Sequence, residues 1–417
     1  MTATTIADLN DLPRVGEIID VSIPALLGEQ LSLGRQGEIV LHGEYGARIH
    51  LNLAALGETV RARVYRRKDN AVWAIVEEVL SPSPDRQEPF CPYFSACGCC
   101  QWQHIAYPVQ QKLKELRLRQ MLAAAGIKAR VSAIETARST TGYRSSVRLS
   151  VIDGRAGFVG FDGTFVAIDH CPVAVKQVSE ALDFFKGRIH NIYNLVVRGS
   201  ERTQQWASYP SIPFAVEQGI RLDIFDEIRG NRARVTANNP SALSSDQIEH
   251  VLEIVDSMLG KPNDGYLFDC YCNAGLSTLA FRNRGWKVIA IEDNKVAFED
   301  ARFNLRGQED IELYKGQPAE MLLVLENAFP TSTAVFSPRR EGIQPVMFDV
   351  IKNNAPKRIV YVGQDAVSTA RDLSAFVSVG YKIRSIKPID LAPHTYQVGA
   401  IARLELVIAN ALNNRPR

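Results

Sequence analysis

Residues 266–275 read Tyr266-Leu267-Phe268-Asp269-Cys270-Tyr271-Cys272-Asn273-Ala274-Gly275, an apolar strand-like run that ends in an acid and a turn. The pattern that follows predicts a helix over Leu276–Arg284, a second strand over Lys287–Glu292 and another helix from Lys295. A further helix is predicted upstream, over Ser245–Leu259. Because strands and helices alternate here, the sequence predicts a parallel, doubly wound α/β sheet.

The turn after the first of these strands is a candidate ligand site, since open α/β sheets bind ligands at the carboxyl ends of their strands. Glu292 ends the next strand, where a carboxylate can accept both hydroxyls of a ribose. The turn has a single glycine, Gly275, and Asn273 tolerates left-handed backbone geometry. With Asp269 and Tyr271, these residues form a candidate cofactor site of the kind shared by dinucleotide enzymes and S-adenosylmethionine (SAM) methyltransferases. A doubly wound domain without a ligand is the alternative.

A second pattern consists of four cysteines. Cys91, Cys97 and Cys100 form Cys-x5-Cys-x2-Cys, and Cys171 follows in Asp169-His170-Cys171-Pro172. Four thiolates favour an iron–sulfur cluster or zinc. The neighbouring Cys99 makes the register ambiguous, because it could replace Cys100 as the ligand. Buried thiols without a metal are the alternative reading.

Composition is that of an ordinary globular protein. The chain has 417 residues, 46% hydrophobic and 23% charged, which predicts two to three domains. Its seven cysteines do not suggest a secreted disulfide framework. The start, Met1-Thr2-Ala3-Thr4-Thr5, lacks the features of a signal peptide, and no apolar run reaches membrane-spanning length. We therefore expect a cytoplasmic protein that is not membrane-bound.

The rest of the chain is predicted to be rich in β-structure. Alternating runs over 13–80 predict a small barrel, and 81–85 reads as a linker. Alternation returns over 140–235. The expected domains are therefore 1–85, 86–234 and 235–417.

Two basic segments suggest contact with nucleic acid, although the net charge is only +2. The strand-like stretch 61–68 carries five cations, which could equally belong to a solvated edge strand. A helix predicted over Val109–Ala125 carries basic residues that we expect to lie largely off its apolar stripe, in solvent or against RNA. These residues are Lys112, Lys114, Arg117 and Arg119.

Taken together, these motifs resemble the RNA uracil-C5-methyltransferases, which make 5-methyluridine in tRNA or rRNA. The resemblance covers nearly the whole chain and includes Gly142-Tyr143-Arg144, Tyr361-Val362 and Asp390-Leu391-x-Pro393-His394-Thr395. It implies an OB-like TRAM barrel over 1–85, an iron–sulfur central domain over 86–234 and a Rossmann-like SAM-methyltransferase domain over 235–417. It also implies a [4Fe–4S] cluster held by Cys91, Cys97, Cys100 and Cys171, with Cys99 as a spare.

The chain departs from this family at the residues that carry the chemistry. Family members use a cysteine that adds to C6 of uracil and a glutamate that removes the C5 proton. Gln364 occupies the position of the nucleophile and Gly399 that of the base. No cysteine follows Cys272, so a shifted alignment cannot supply the nucleophile. We therefore assign no catalytic residue.

Three functions remain open from the sequence. The first is an iron–sulfur protein that binds structured rRNA or tRNA as a monomer and cannot form 5-methyluridine by the usual covalent route. The second is a SAM-dependent RNA methyltransferase that acts at another atom or by another mechanism. The third is a redox enzyme that uses the cluster, an option that Cys270 and Cys272 near the pocket leave open.

Overall fold

The computed structural model describes residues 12–27, 31–43, 46–262, 265–325 and 332–407. Met1-Thr2-Ala3-Thr4-Thr5, on which the signal-peptide expectation rests, lies outside the described residues. Within the described ranges, every helix is too short or too polar to cross a membrane.

The N-terminal part forms a six-stranded sheet in the order β1-β5-β6-β4-β3-β2. Its strands are β1 (Ile18–Ser22), β2 (Leu31–Leu33), β3 (Ile39–His42), β4 (Arg48–Asn52), β5 (Thr59–Lys68) and β6 (Ala71–Ser81). Two of the five cations of β5 form ion pairs: Arg61 pairs with Asp20 at 2.8 Å and Arg63 with Glu77 at 2.6 Å. The solvated-strand reading therefore accounts for both of these arginines.

A short helix, α1 (Phe94–Cys97), and a long one, α2 (Tyr107–Ala124), follow. The expectation that the basic residues of this long helix face solvent is wrong for two of them. Lys114 is fully buried and donates to Asp390 Oδ1 at 2.6 Å. Arg117 is also buried and donates to the carbonyl oxygen of Gly34 at 2.7 Å. Both cations bind protein groups, so the helix joins the N-terminal sheet to the C-terminal part of the chain.

The central part contains a five-stranded antiparallel sheet in the order β11-β10-β7-β8-β9 and a separate hairpin. The sheet consists of β7 (Ser146–Ile152), β8 (Arg155–Val159), β9 (Phe165–Ala167), β10 (Asn194–Ser200) and β11 (Gln205–Tyr209), with helices α3 (Lys176–Phe185) and α4 (Pro213–Glu217). The hairpin consists of β12 (Asp223–Ile228) and β13 (Asn231–Thr236).

The C-terminal part is a seven-stranded sheet in the order β16-β15-β14-β17-β18-β20-β19. Its strands are β14 (Tyr266–Cys270), β15 (Lys287–Glu292), β16 (Ile311–Lys315), β17 (Thr333–Phe336), β18 (Arg358–Gly363), β19 (Tyr381–Ile389) and β20 (Gly399–Leu406). Its helices are α5 (Ser245–Leu259), α6 (Leu276–Asn283), α7 (Lys295–Asn304), α8 (Pro318–Val324), α9 (Val346–Asn353) and α10 (Ala366–Ser378).

Side chains that alternate along the strands of this sheet fill two apolar cores, one on each face. Phe268 and Ile289 belong to one core, and their neighbours Leu267 and Val288 to the other. The five strands β14 to β18 run parallel to one another, whereas β20 is antiparallel to both of its neighbours, β18 and β19. The predicted doubly wound α/β domain with all-β additions is therefore confirmed. The strand order reverses beside β14, which places the candidate cofactor turn at the switch point.

Candidate functional site

The turn between β14 and α6 holds three residues in left-handed backbone geometry. The φ angles of Tyr271, Asn273 and Gly275 are +66°, +52° and +79°. Asn273 conforms to the expectation that it tolerates this geometry. Tyr271 does not belong to a residue type that adopts it readily, so the turn stores backbone strain, as loops at ligand sites often do.

Asp269 is the penultimate residue of β14, just before this turn, and is fully buried. Its Oδ2 accepts from Ser277 Oγ at 2.8 Å and Thr278 Oγ1 at 2.7 Å. Its Oδ1 has no hydrogen-bond partner among the described residues. Burial raises the pKa of the Asp269 carboxyl to about 6. A buried carboxylate oxygen without a partner fits a site that receives a polar ligand atom.

Glu292, at the end of β15, is held by backbone donors on both sides. Its Oε2 accepts from Asn273 N and its Oε1 from Asn294 N, each at 2.8 Å. Burial raises the pKa of this carboxyl to about 7, against the opposing effect of those two N–H groups. The first bond ties the predicted ribose acid directly to the candidate turn.

Arg339, in the loop after β17, contacts the carboxylates of Glu292 and of the next residue, Asp293. Its guanidinium lies 3.4 Å from Glu292 Oε1 and 2.6 Å from Asp293 Oδ1, and Gln317 donates to Asp293 Oδ2 at 2.8 Å. Sequence reasoning gave no role to Asp293 and did not connect Arg339 with Glu292. The proximity of a basic loop to an acidic strand end could not be read from the separate segments.

Gln364, the residue that follows β18, lies close to Gly399, the first residue of β20. The pairing of Gly363 with Ala400 places Gln364 opposite Gly399, and both residues line one cavity of about 60 Å³. This is far below the roughly 300–1,000 Å³ of ordinary ligand pockets. The structure thus brings together the two positions where the resemblance expects the nucleophile and the base.

Two side-chain contacts close this cavity further. Arg340 donates to Gln397 Oε1 at 2.8 Å, and Gln364 Nε2 donates to the carbonyl oxygen of Pro338 at 3.3 Å. Position 399 itself has no spare room: a Cβ there would lie 2.8 Å from the carbonyl oxygen of Gly363. A longer side chain at 399 therefore requires the backbone of the paired strands to move.

The cysteines converge from two directions. Cys100 packs with Cys91 and Cys171 in one apolar cluster, whereas Cys97, Cys99 and Cys171 share another. All of them are free thiols. Across the described ranges, no group of three or more Cys, His, Asp or Glu side chains is arranged so that it could hold a metal ion. The structure therefore shows a shared neighbourhood for the predicted ligands and does not show a metal site.

Cys99 is not an isolated spare. Its thiol donates a hydrogen bond to the sulfur of Cys97, and this interaction lowers the pKa of Cys97 to about 7. Burial raises the pKa of Cys100 to about 12, although the nearby guanidinium of Arg144 opposes this effect. Arg144 also lines the Gln364 cavity, so it lies close both to the thiols and to that cavity.

The remaining motifs meet at the same place. Tyr143 donates through its hydroxyl to the carbonyl oxygen of Pro393 at 2.8 Å, and Gln101 N donates to the carbonyl oxygen of His394 at 2.9 Å. The loop after β19 thus accepts hydrogen bonds from both the cysteine loop and the Gly142-Tyr143-Arg144 segment. Cys270 and Cys272 are buried in separate apolar cores, and burial holds the pKa of each thiol well above its usual range.

Comparison with known proteins gives relatives along most of the chain, although no protein-family model matches it. An uncharacterized RNA methyltransferase of Caldanaerobacter subterraneus is 26% identical over 415 residues, which cover 84% of this chain and 92% of that protein. The 23S rRNA (uracil(1939)-C(5))-methyltransferase RlmD of Aeromonas salmonicida is 26% identical over 404 residues, covering 86% of this chain and 92% of the relative.

A solved structure shares the fold. The tRNA (uracil-54, C5)-methyltransferase of Pyrococcus abyssi, in complex with S-adenosyl-L-homocysteine, matches with a TM-score of 0.72 and 21% identity. The match covers 92% of this chain and 98% of that one. The resemblance that the motifs predict is therefore confirmed: over most of its length, this chain is similar to proteins named RNA methyltransferases, one of them a 23S rRNA uracil-C5-methyltransferase, and it shares the fold of a tRNA uracil-C5-methyltransferase.

Proposed function

We propose that this protein binds structured RNA on a methyltransferase scaffold and does not form 5-methyluridine by the covalent route. The observation that carries the proposal is that Gln364 and Gly399 line the same small cavity. A neutral amide cannot add to C6 of uracil, and glycine has no group to accept the C5 proton. The lack of space at 399 adds to this, because a glutamate there would meet the carbonyl oxygen of Gly363.

RNA as the partner is supported by the relatives, which are named for methylation of rRNA and tRNA. Crosslinking in cells followed by sequencing tests it directly. We expect rRNA or tRNA fragments to be recovered at defined positions. Recovery of no RNA above the level of an uncrosslinked sample would overturn the proposal.

The turn after β14 and Glu292 retain features that fit SAM, whereas the cavity lined by Gln364 and Gly399 lacks the groups that would react with uracil. Asp269 Oδ1 has no partner among the described residues, and Glu292 ends the strand where a ribose acid is expected. SAM would be held by Asp269, Tyr271, Asn273, Gly275 and Glu292. Bound SAM would supply an electrophilic methyl group.

Retention of this site favours a second candidate function, methyl transfer to an atom that is already nucleophilic. Such a reaction needs proximity and orientation and requires no covalent cysteine. Mass spectrometry of RNA incubated with the protein and labelled SAM distinguishes the two: label on a nitrogen or oxygen would favour this second function. The redox alternative receives no support from Cys270 and Cys272, because both thiols are buried.

We also propose that Cys91, Cys97, Cys100 and Cys171 ligate a [4Fe–4S] cluster. The supporting observations are the four free thiols and the packing of Cys171 against both groups of cysteines. We propose Cys100 and not Cys99 as the ligand because Cys100 shares an apolar cluster with Cys91 and Cys171, whereas the cluster of Cys99 does not include Cys91.

Anaerobic purification with iron and sulfide assays tests the cluster. We expect about four irons per chain, loss of iron in Cys100→Ser, and retention of iron in the matched variant Cys99→Ser. A colourless protein with one tightly bound zinc would contradict the assignment. Loss of iron in Cys99→Ser but not in Cys100→Ser would show that Cys99 is the ligand in place of Cys100.

A further inference from the structure

A groove lies at the edge of the C-terminal sheet, on residues that neither the cofactor turn nor the Gln364 cavity uses. Its volume is about 640 Å³. That volume lies within the roughly 300–1,000 Å³ of sites that hold small organic ligands. Its floor is formed by apolar residues of α7 and of the edge strand β16, and arginines form its rim. The main lining residues are Arg234, Phe298, Arg302, Phe303, Arg306 and Leu313.

Two arginine–phenylalanine stacks lead into this groove from the β12–β13 hairpin. The Arg234 guanidinium lies 4.3 Å from the centre of the Phe303 ring, and that of Arg232 lies 4.6 Å from the centre of Phe225. The two phenylalanine rings are 6.4 Å apart. The register explains this arrangement: Arg232 and Arg234 alternate with buried residues on β13, and Phe225 pairs directly with Arg234.

Phe303 remains open to solvent despite this stacking, with 51% of its surface exposed. It lies at the end of α7, where the last turn presents it beside the groove. An exposed aromatic face next to guanidinium planes is the arrangement on which single-stranded nucleic acids stack their bases. Scattered exposed apolar residues need no explanation, but this one belongs to a continuous aromatic and basic strip.

The charge of the groove is positive. Three arginines line it against a single acid, Glu299, which is paired with Arg302 at 2.5 Å. Arg234 has its own partner, Asp300, at 3.4 Å. Arg306 is exposed and has no hydrogen bond or ion pair within the described part of the chain, so its guanidinium is available to a phosphate.

We propose that this groove binds an unpaired nucleotide of the RNA, with its base stacked on Phe303 and its phosphate bound by Arg306. The proposal rests on RNA binding by the protein, and it adds a contact surface remote in sequence from the cavity that the family resemblance places at the uracil. Its consequence is that RNA affinity depends on the outer edge of the sheet as well as on the Gln364 side.

The test uses the full chain and a fluorescently labelled RNA stem-loop oligonucleotide with an unpaired loop, read by anisotropy. We expect Phe303→Ala to weaken binding about tenfold, the usual effect of removing a stacking aromatic. Arg306→Glu is expected to weaken binding and to reduce the slope of log affinity against log salt by about one. Tyr193→Ala is the matched control, since Tyr193 is an exposed aromatic residue of the central part, 83% exposed.

The outcomes separate this inference from the proposed function. If the wild-type chain binds RNA and both groove variants bind it as tightly, the groove assignment is wrong while RNA binding stands. If uridine monophosphate alone competes as well as the oligonucleotide, the groove is a mononucleotide site and the RNA assignment is overturned. Thermal melting of each variant verifies folding, which both exposed positions should leave intact.

Discussion

Glu292 lies where a ribose is expected, yet burial raises the pKa of its carboxyl to about 7. Only the ionised carboxylate can accept hydrogen bonds from both ribose hydroxyls. Affinity for SAM should therefore fall as the pH falls through about 7. Calorimetry should show binding about tenfold weaker at about pH 6 than at about pH 8.

The control for this dependence is Glu292→Gln, which cannot ionise. Its affinity should be lower at about pH 8 and nearly constant across the range. Equal pH dependence in the wild type and in this variant would show that another group controls binding.

Single residues also show how far the sequence alone could reach. The left-handed geometry of Asn273 follows from its residue type, and the placement of Glu292 follows from the end of a strand. The left-handed geometry of Tyr271 could not be predicted, because tertiary packing overrides its local preference. The crowding of Gly399 by Gly363 could not be predicted either, since it arises between strands that are distant in sequence.

Among the secondary-structure elements, the turn into α6 depends on Gly275. Its φ of +79° strains any L side chain, and an added Cβ would approach Leu305 to 3.0 Å. Gly126 provides a matched control, since its φ is +76° and nothing lies within 4 Å of an added Cβ. Gly126→Ala should cost about 1–2 kcal/mol from backbone strain, and Gly275→Ala about 1 kcal/mol more from overpacking. Denaturant unfolding measures both, and equal losses would show that Leu305 moves aside freely.

Helix α2 was the element least well predicted. The spacing of its residues predicted that the basic side chains lie off the apolar stripe. Lys114 is nevertheless fully buried against Asp390, a residue so distant in sequence that no local pattern could reveal the contact. Removing one partner of a buried pair leaves the other charge uncompensated, so Lys114→Met should cost about 3–5 kcal/mol in the free energy of unfolding. The exposed neighbour Lys112 is the control, and Lys112→Met should change stability by less than about 0.5 kcal/mol. Similar small losses in both variants would mean that the buried pair is dispensable.

For the whole molecule, the doubly wound class followed from the sequence because strand and helix periods are local signals. The order of the strands in the sheet and the contacts between the parts of the chain did not, because they depend on residues that are distant in sequence. The loop after β17 reaches both halves of the site, through Arg339 to the Glu292 carboxylate and through Arg340 to Gln397. Intact cofactor-side residues beside a small catalytic cavity are the structural basis for our proposal that the scaffold holds RNA without methylating uracil.

The most direct test of that claim incubates the purified protein with methyl-labelled SAM and unmodified rRNA and tRNA transcripts, and measures retained RNA and label at uracil C5 in the same sample. We predict that RNA is retained and that uracil C5 carries no label above a sample without protein. Robust label at uracil C5 would contradict the account.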